Sequence, residues 1–492
     1  MRKNIVFVMA DQFRYDAISK HDNSYISTPT FDQWINEGYD FTNCYSATPT
    51  CIPARASLLS GLSQENTGMV GYEEGANWNF PHQLGKEFAN RRYYAKAVGK
   101  MHVSNPRKRM GFHHVELHDG YLHATRKSYL RKDRSYISTD DYYNWLKENL
   151  GNDADIIDNG LECNSWVARE FNYEEKYHPT NWVVSRAIDF LRKRDTTEPF
   201  FLYMSFVRPH SPYDPPRYYF DMYMDELKDI KKRDLSKRAR DLGLDKNIDK
   251  IDALTGSITE RDYRRMLAGY FGSVTHIDHQ LNRFMIKLNE YDLLEDTIFV
   301  FTSDHGDMLA DHNLYRKGFA YQGSTHIPLI VYDPGENIFK KEDMRKKIDN
   351  IVELRDILPS LVDFATGEKV ENIDGVSVKS LMKKDYDDTN WRKVLHGEHV
   401  LGEFSNQFIL KLPYKYIWYT QSGIEQLFDI QKDPTEDNNL IDDENYKDIA
   451  DNLRNILIDN LKEREEGFVK DNKLIKGVKQ KPFLSINEKY KD

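Results

Sequence analysis

Five short apolar runs in the first two thirds of the chain have the length and composition of buried β-strands. Each is a nearly unbroken stretch of apolar residues, as expected for strands of a parallel sheet that is covered on both faces. Longer segments between them carry apolar residues at three- and four-residue spacing, which predicts amphipathic helices. The alternation predicts an α/β fold in which helices sandwich a large, mixed but mostly parallel sheet. The predicted strands are 5–10, 94–98, 200–206, 297–302 and 328–332, and the clearest predicted helices are 54–62, 182–194 and 263–291.

The hydrophobic pattern changes in the C-terminal quarter of the chain. Short alternating segments at residues 408–412 and 415–420 are typical of antiparallel strands, and a charged helix is predicted near residues 446–465. We therefore predict a large α/β domain at residues 1–368 and a smaller antiparallel α+β domain at residues 369–492. Two regions are less regular. Residues 105–180 are predicted to form long loops or a lid, and residues 225–262 are predicted to form an exposed charged helix.

Composition and charge exclude some classes of protein. Of the 492 residues, 39% are hydrophobic and 30% are charged, which is the composition of a globular protein. The formal net charge of −10 argues against a nucleic-acid-binding protein, which usually presents a basic surface. No segment is long enough to span a bilayer, so we expect neither a nucleic acid nor a membrane as a partner.

The cysteine content indicates a compartment. The chain has three cysteines, Cys44, Cys51 and Cys163. A small, odd number of cysteines does not indicate a disulfide framework and fits a protein of a reducing compartment. The apolar run at residues 5–10 is too short for the core of a secretory signal. We therefore expect a cytoplasmic protein.

Polar side chains follow four of the predicted strands directly. Ligands of open α/β sheets bind beyond the carboxyl ends of the strands, so these residues are candidates for one shared site. The strand ends are Asp11-Gln12, Gly99-Lys100-Met101-His102, Arg208-Pro209-His210 and Ser303-Asp304-His305-Gly306-Asp307.

Two of these strand ends supply a candidate metal site. Asp11, Gln12, Asp304 and His305 offer mostly oxygen atoms, which suits calcium or magnesium, or manganese if the imidazole counts strongly. Structural zinc is not expected, because the chain lacks the Cys and His spacing of such sites. Each aspartate taken alone could instead cap a following helix.

Cys51 lies where a loop is predicted to enter a helix. The segment runs Pro49-Thr50-Cys51-Ile52-Pro53-Ala54-Arg55, with a proline at a position typical of a first helical turn. A helix N-terminus favours an anion, either a thiolate or a bound oxyanion. The alternative is a cysteine that acts only as a small buried apolar residue.

This segment resembles a known family signature. Cys51-x-Pro53-x-Arg55 is similar to the signature of the sulfatases, in which the cysteine is oxidised after synthesis to formylglycine. The resemblance covers nearly the whole chain, including the segments at residues 56–61 and 99–102 and the closing segment at 425–440. It implies a sulfatase-type catalytic domain at residues 1–368 that hydrolyses sulfate esters.

The family resemblance also implies the cofactors. Asp11, Gln12, Asp304 and His305, together with the converted Cys51, are expected to hold one divalent metal ion. Calcium is the first expectation, with manganese or magnesium as alternatives. A formylglycine-generating or anaerobic maturase enzyme is the expected partner that converts Cys51. The hydrated aldehyde offers one hydroxyl to attack sulfur, and deprotonation of the second then releases sulfate.

Several cations and histidines receive roles from the resemblance. Negative charge on the transferred group requires nearby cations, and Lys100 and Lys317 are candidates to bind its oxygens. Arg55, one helical turn after Cys51, is expected to steady the nucleophile. The alternative for Lys317 is a solvated loop lysine.

Three histidines are candidates for proton transfer or substrate contact. His102 is expected to take the proton of the nucleophile, and His210 to act as the acid near the leaving oxygen. His326, which precedes a predicted strand, is an equal candidate for substrate contact or a structural role. Glu398 and His399 of the second domain either reach the cleft or make structural hydrogen bonds.

The sequence leaves the substrate open. Asp11-Gln12 combined with Asp304-His305 is similar to choline sulfatases, carbohydrate sulfatases and phosphonate monoester hydrolases. We expect a sulfated sugar, as a small molecule or an oligosaccharide, or another small organic sulfate. The alternatives are a phosphonate monoester or phosphodiester hydrolase with the same nucleophile, and a binding protein that has lost catalysis. A homo-oligomer is compatible with the sequence.

Overall fold

A large sheet organises the N-terminal part of the molecule. The computed structural model describes residues 2–120, 140–154, 156, 160–232, 244–248 and 250–491. The strands of this part are β1 (Asn4–Asp11), β2 (Tyr39–Phe41), β3 (Cys44–Tyr45), β4 (Tyr94–Gly99), β5 (His114–Leu117), β6 (Phe200–Pro209), β7 (Thr297–Ser303), β8 (His326–Ile327), β9 (Leu329–Tyr332), β10 (Lys347–Ile348) and β11 (Val352–Glu353).

Eight of these strands form one sheet in the described part of the chain, in the order β10-β2-β9-β7-β1-β6-β4-β5. β1 is central and pairs in parallel with β6 and β7, and β4 continues the parallel pairing on the far side of β6. β9 is antiparallel to β7 and to β2. The predicted mixed, mostly parallel sheet is therefore confirmed.

Helices cover both faces of this sheet because its strands are apolar on both faces. Alternate residues of β1 enter opposite cores: Val6 and Val8 pack in one, and Ile5 and Phe7 in the other. The helices are α1 (Pro29–Glu37), α2 (Cys51–Ser60), α3 (Gln64–Thr67), α4 (Leu84–Asn90), α5 (Asp141–Leu150), α6 (Pro179–Lys193), α7 (Arg217–Glu226), α8 (Glu260–Glu290), α9 (Gln322–Thr325) and α10 (Ile357–Thr366).

The C-terminal part contains a second, antiparallel sheet. Helix α11 packs on one face of it, where Leu453 and Leu457 join a core with Tyr416 and Trp418. The smaller antiparallel sheet with a packed helix is confirmed, whereas the boundary between residues 368 and 369 remains a prediction. These elements are β12 (Leu395–His399), β13 (Asn406–Lys411), β14 (Tyr414–Tyr419), β15 (Glu425–Asp429), α11 (Lys447–Leu461), β16 (Val469–Lys470) and β17 (Lys473–Leu474).

The predicted helix at 225–262 is wrong for the described residues between α7 and α8. Isolated bridges occur there instead: Asn247 pairs with Ser257 within the stretch, and Thr255 pairs with Leu314 outside it. The remainder of the stretch, residues 233–243 and 249, lies outside the described residues. The predicted loop region 105–180 contains β5 and α5, and its residues 121–139, 155 and 157–159 also lie outside.

None of the helices in the residue ranges given above combines enough length with enough apolar character to cross a bilayer.

A charged contact joins helix α3 to the C-terminal sheet. His396 of β12 has its Nδ1 atom 2.9 Å from Glu65 Oε1 in α3, and its Nε2 atom 2.8 Å from Gln407 Oε1. Burial disfavours both charges, but the pairing outweighs it: the pKa of Glu65 falls to about 2 and that of His396 rises. The imidazolium therefore donates to acceptors from both parts of the chain.

The pH dependence of stability tests this contact. Because the pKa of Glu65 is lowered, its charge stabilises the fold above the ordinary value of 4.5, and this stabilisation is lost as the pH falls towards 2. Because the pKa of His396 is raised, its charge stabilises the fold below the ordinary value of 6.5, and this stabilisation is lost as the pH rises through the folded pKa. We expect Glu65→Gln to lower the thermal midpoint most between these two ordinary values. An equal loss at every pH would show that the ionic contact contributes nothing.

Candidate active site

Cys51 begins helix α2 at the carboxyl end of the large sheet. Its side chain is 2% exposed, and its Sγ atom lies 3.3 Å from His305 Nε2. Lys100 Nζ and Asp11 Oδ1 are each 3.7 Å from the sulfur. The neighbours come from β1, β4 and β7, because adjacent parallel strands end at one edge of the sheet. The structure thus brings these predicted strand ends together around Cys51.

Arg55 lies between the two aspartates of this group. Its Nε donates to Asp304 Oδ2 at 2.9 Å, and its Nη2 donates to Asp11 Oδ2 at 3.1 Å. Its Nη1 donates to the carbonyl oxygen of Lys100 at 2.8 Å. All three charged side chains of these ion pairs are fully buried. Removing the guanidinium would leave the buried carboxylate of Asp304 without its ion-pair partner, which costs about 3–5 kcal/mol in comparable cases.

Two lysines bring further positive charge. Lys100 Nζ lies 2.7 Å from Asp11 Oδ2. Lys317 Nζ donates to Gln12 Oε1 at 2.6 Å, and the amide nitrogen of Gln12 donates to Asp307. Gln12 is therefore held at both ends of its amide, and it lies beside Asp304, whose Oδ1 accepts from its backbone N–H at 3.1 Å.

The electrostatic balance favours an anion at Cys51. Burial alone would raise the pKa of the thiol, but the positive charges of Lys100 and Lys317 outweigh this effect and hold the pKa well below its ordinary value. Burial and neighbouring Asp11 raise the pKa of Asp304. A reactive cysteine characteristically has such electropositive surroundings, whereas an inert buried cysteine does not.

The donor atoms around Cys51 fit one divalent metal ion. Atoms from Asp11, Cys51, Asp304 and His305 lie within 4.8 Å of one another, and all four residues are buried. His305 Nδ1 donates to the carbonyl oxygen of Gly306 at 2.9 Å, which leaves the lone pair of Nε2 facing the group. Two carboxylates and an oriented imidazole make a mostly oxygen donor set that suits a hard ion.

Two predicted histidines also lie at this site. His210 Nδ1 donates to the carbonyl oxygen of Ser211 at 2.7 Å, and its backbone N–H donates to that of Asp11 at 3.1 Å. Burial and Lys317 lower the pKa of His210 to about 4. His102 is 1% exposed, interacts favourably with the Cys51 thiolate, and has its Nε2 atom 3.3 Å from Glu74 Oε1.

His326 lies elsewhere. Its ring stacks on Tyr15 at 3.9 Å and on Tyr45 at 4.9 Å between ring centroids, and its Nε2 atom is 2.9 Å from the carbonyl oxygen of Thr42. It lines a separate cavity of about 350 Å³ together with Tyr321. The contacts of His326 include none of the side chains that surround Cys51, because its backbone pairs with Tyr45 in a short strand.

Several residues of the site received no catalytic or metal-binding role from the sequence. Asp307 accepts from Gln12 and, at 2.5 Å, from the hydroxyl of Tyr213. Its signal was available, since it follows His305 by two residues at the end of β7. Tyr213 carries no such signal. Thr50, directly before Cys51, has its Oγ1 atom 2.8 Å from Nε2 of His399, a residue of the C-terminal sheet.

Family models match most of the chain. The model described as "Sulfatase" matches residues 3–367, and the model described as "N-sulphoglucosamine sulphohydrolase, C-terminal" matches residues 310–463. An arylsulfatase of Clostridium perfringens is 47% identical over 484 residues, which cover 97% of this chain and 98% of the relative. A choline-sulfatase of Rhizobium meliloti is 26% identical over 89% of this chain and 82% of its own.

Solved structures share the fold. A phosphonate monoester hydrolase of Agrobacterium radiobacter matches with a TM-score of 0.73 and 23% identity, over 93% of this chain and 95% of that one. A protein solved in complex with its substrate D-glucosamine-2-N,6-O-disulfate matches with a TM-score of 0.71 and 20% identity, over 94% and 98%. At these identities the likeness establishes the architecture.

Metal addition tests the donor set. An ion that binds only the folded chain stabilises it by mass action, by about 2.7 kcal/mol at roughly 100 times its dissociation constant. We expect calcium to raise the thermal midpoint of metal-depleted protein in a concentration-dependent way, and Asp304→Asn to remove most of this shift.

Asp278→Asn is the matched control, since Asp278 is a buried carboxylate that accepts backbone N–H groups of Thr30 and Phe31 and lies outside this group. It should be less stable than wild type and still respond to calcium. Equal calcium shifts in wild type and Asp304→Asn would contradict the assignment of the site.

Proposed function

The chain belongs to the sulfatase family, and from this membership we propose that a formylglycine made from Cys51 hydrolyses sulfate esters at the site described above. The enzyme is accordingly a sulfuric ester hydrolase. The observation that carries the proposal is the position of Cys51: it begins a helix, is buried, and is surrounded by Lys100, Lys317 and two carboxylates fixed by Arg55.

The proposed cofactors follow from the family and from the donor set. Hydrated formylglycine supplies a hydroxyl that attacks sulfur and a second hydroxyl whose deprotonation releases sulfate. A divalent ion supplies positive charge that favours the deprotonated nucleophile. Asp11, Gln12, Asp304 and His305 would hold the ion together with converted residue 51. We propose calcium, with manganese or magnesium as alternatives, because oxygen donors predominate.

The side chains around Cys51 divide the remaining tasks. Lys100 and Lys317 bind the oxygens of the sulfate group, and the fixed guanidinium of Arg55 keeps both carboxylates oriented towards residue 51. His102 accepts the proton of the nucleophile. These roles are proposals that rest on the positions of the groups and on the family signature.

His210 is the proposed acid at the leaving oxygen. Its Nδ1–H is donated to the carbonyl oxygen of Ser211, so Nε2 is the atom that exchanges a proton with the substrate. Its lowered pKa means that the free site holds it neutral at pH 7. A sulfate ester carries one negative charge, which would raise the pKa of the nearby imidazole and so favour protonation of His210 on substrate binding.

The proposed substrate is a sulfated sugar or another small organic sulfate. The 47% identity to an arylsulfatase of Clostridium perfringens supports a sulfate ester as the substrate. The D-glucosamine-2-N,6-O-disulfate complex of a protein with the same fold supports a sugar.

Conversion of Cys51 requires a formylglycine-generating or anaerobic maturase enzyme. We also propose a cytoplasmic location, which the three buried free cysteines support. A homo-oligomer is proposed as well.

Turnover of matched model esters tests this function. We expect protein coexpressed with a formylglycine-generating enzyme to hydrolyse an aryl sulfate faster than the corresponding aryl phosphonate monoester. Both model esters are monoanions, so the comparison tests whether the site favours sulfur or phosphorus as the atom that is attacked. Rates are normalised to the formylglycine content at residue 51, measured by mass spectrometry.

Cys51→Ala is the control, since it removes the nucleophile and keeps a small apolar side chain at a buried position. It should lose all turnover while the thermal midpoint stays close to that of wild type. A preference for the phosphonate would replace the sulfatase proposal with phosphorus chemistry on the same nucleophile. Turnover that persists in Cys51→Ala would refute both.

A further inference from the structure

The C-terminal sheet contacts the segment that leads into the nucleophile. Strand β12 lies along residues 47–50: the backbone N–H of Glu398 donates to the carbonyl oxygen of Ala47 at 2.8 Å. The next residue, His399, has its Nε2 atom 2.8 Å from Thr50 Oγ1. Both side chains of this second contact are buried, with His399 1% and Thr50 5% exposed. A residue of the second sheet thus holds the position that directly precedes Cys51.

The same imidazole also contacts the loop that carries Lys317. Gly318 has a φ angle of +95°, and a Cβ atom there would lie 3.2 Å from His399 Nδ1, so the ring packs against this glycine. Asn406, the register partner of His399 on β13, donates its side-chain N–H to the carbonyl oxygen of Gly318 at 2.9 Å. The pair fixes the backbone next to a proposed sulfate-binding lysine.

The tautomer of His399 follows from its surroundings. Its Nδ1 atom is buried and has no hydrogen-bond partner among the described residues. A buried lone pair without a partner is less costly than a buried N–H without one. The proton therefore belongs on Nε2, from which it is donated to Thr50 Oγ1.

This bond changes what Thr50 does at the start of α2. A threonine at an N-cap normally accepts from a backbone N–H of the first turn. Here Thr50 makes no such bond, and Pro53, at the third helical position, has no N–H to offer. The threonine hydroxyl is directed towards His399 instead. The contact between the domains, and not a local cap, sets the rotamer of the residue that precedes the nucleophile.

We propose that His399 is a positioning residue for sulfate transfer, which aligns residue 51 and Lys317 through its contacts with Thr50 and Gly318. This assignment rests on the proposed function. Its basis is geometric: one imidazole of the C-terminal sheet joins the two segments whose separation determines where sulfur lies relative to the nucleophile. Misplacement of reacting groups by about 1 Å costs up to roughly 100-fold in rate.

Four variants separate positioning from general stability. His399→Phe keeps an aromatic ring against Gly318 and removes the bond to Thr50. His399→Gln restores an N–H donor near the position of Nε2, and Thr50→Val removes the acceptor. His396→Gln is the matched control, because it replaces a buried imidazole three residues earlier on the same strand that is bonded to Glu65 and Gln407 instead. Formylglycine content and thermal midpoint are measured for each protein.

We expect His399→Phe to lower kcat per converted site roughly tenfold with a smaller change in KM, since the lost alignment acts on the transition state. His399→Gln should recover part of this loss. Thr50→Val should lower kcat similarly, and combining it with His399→Phe should add little, because both remove one interaction. His396→Gln should be less stable but keep kcat.

Two results would overturn the assignment. One is a kcat within twofold of wild type in His399→Phe at equal formylglycine content. The other is losses in His399→Phe and Thr50→Val that multiply in the double variant. If converted wild type hydrolyses neither a sulfate nor a phosphonate ester, the proposed function fails, and the role of His399 fails with it. Turnover of either ester by wild type keeps the two questions separate.

Discussion

The guanidinium of Arg55 lies between the buried carboxylates of Asp11 and Asp304, and the arrangement of the site depends on this contact. The two carboxylates end neighbouring parallel strands, so the sheet brings like charges together inside the protein. Arg55 compensates for them in a geometry that also fixes helix α2, because its third donor group binds the carbonyl oxygen of Lys100. A buried pair of this kind contributes little net stability but is costly to break, so it serves to hold one arrangement.

The surplus of positive charge around Cys51 follows from this arrangement. Arg55 contacts both aspartates and Lys100 also contacts Asp11. Lys100 and Lys317 together lower the pKa of the thiol and lie where they can bind an anionic group. Catalysis by such a site relies on charges that are oriented before the substrate arrives, in surroundings with little water. His399 of the second sheet contacts Thr50, which directly precedes Cys51, so the C-terminal part of the chain packs against the site.

The sequence was most informative where a residue follows a strand or begins a helix. The large sheet, the central position of β1 and the convergence of Asp11, Lys100, His210 and Asp304 agree with the predicted strand ends, because parallel strands share one carboxyl edge. Contacts across hundreds of residues are different. The bond between Thr50 and His399 joins positions 349 residues apart, and nothing in either local pattern indicates it. For His326 the sequence left substrate contact and a structural role equally open, and its backbone pairing with Tyr45 places it away from the side chains that surround Cys51.

The most direct test of the central claim is whether residue 51 takes the sulfate group from the substrate. In Cys51→Ser the hydroxyl can attack sulfur, forming an O–S bond as the alcohol leaves with a proton. The side chain has no second hydroxyl to expel sulfate, so the reaction stops there. The account predicts release of one equivalent of a phenol from an aryl sulfate, and a mass gain of one SO₃ group on the peptide that contains residue 51. Steady turnover in Cys51→Ser, or phenol release without this mass gain, would contradict it.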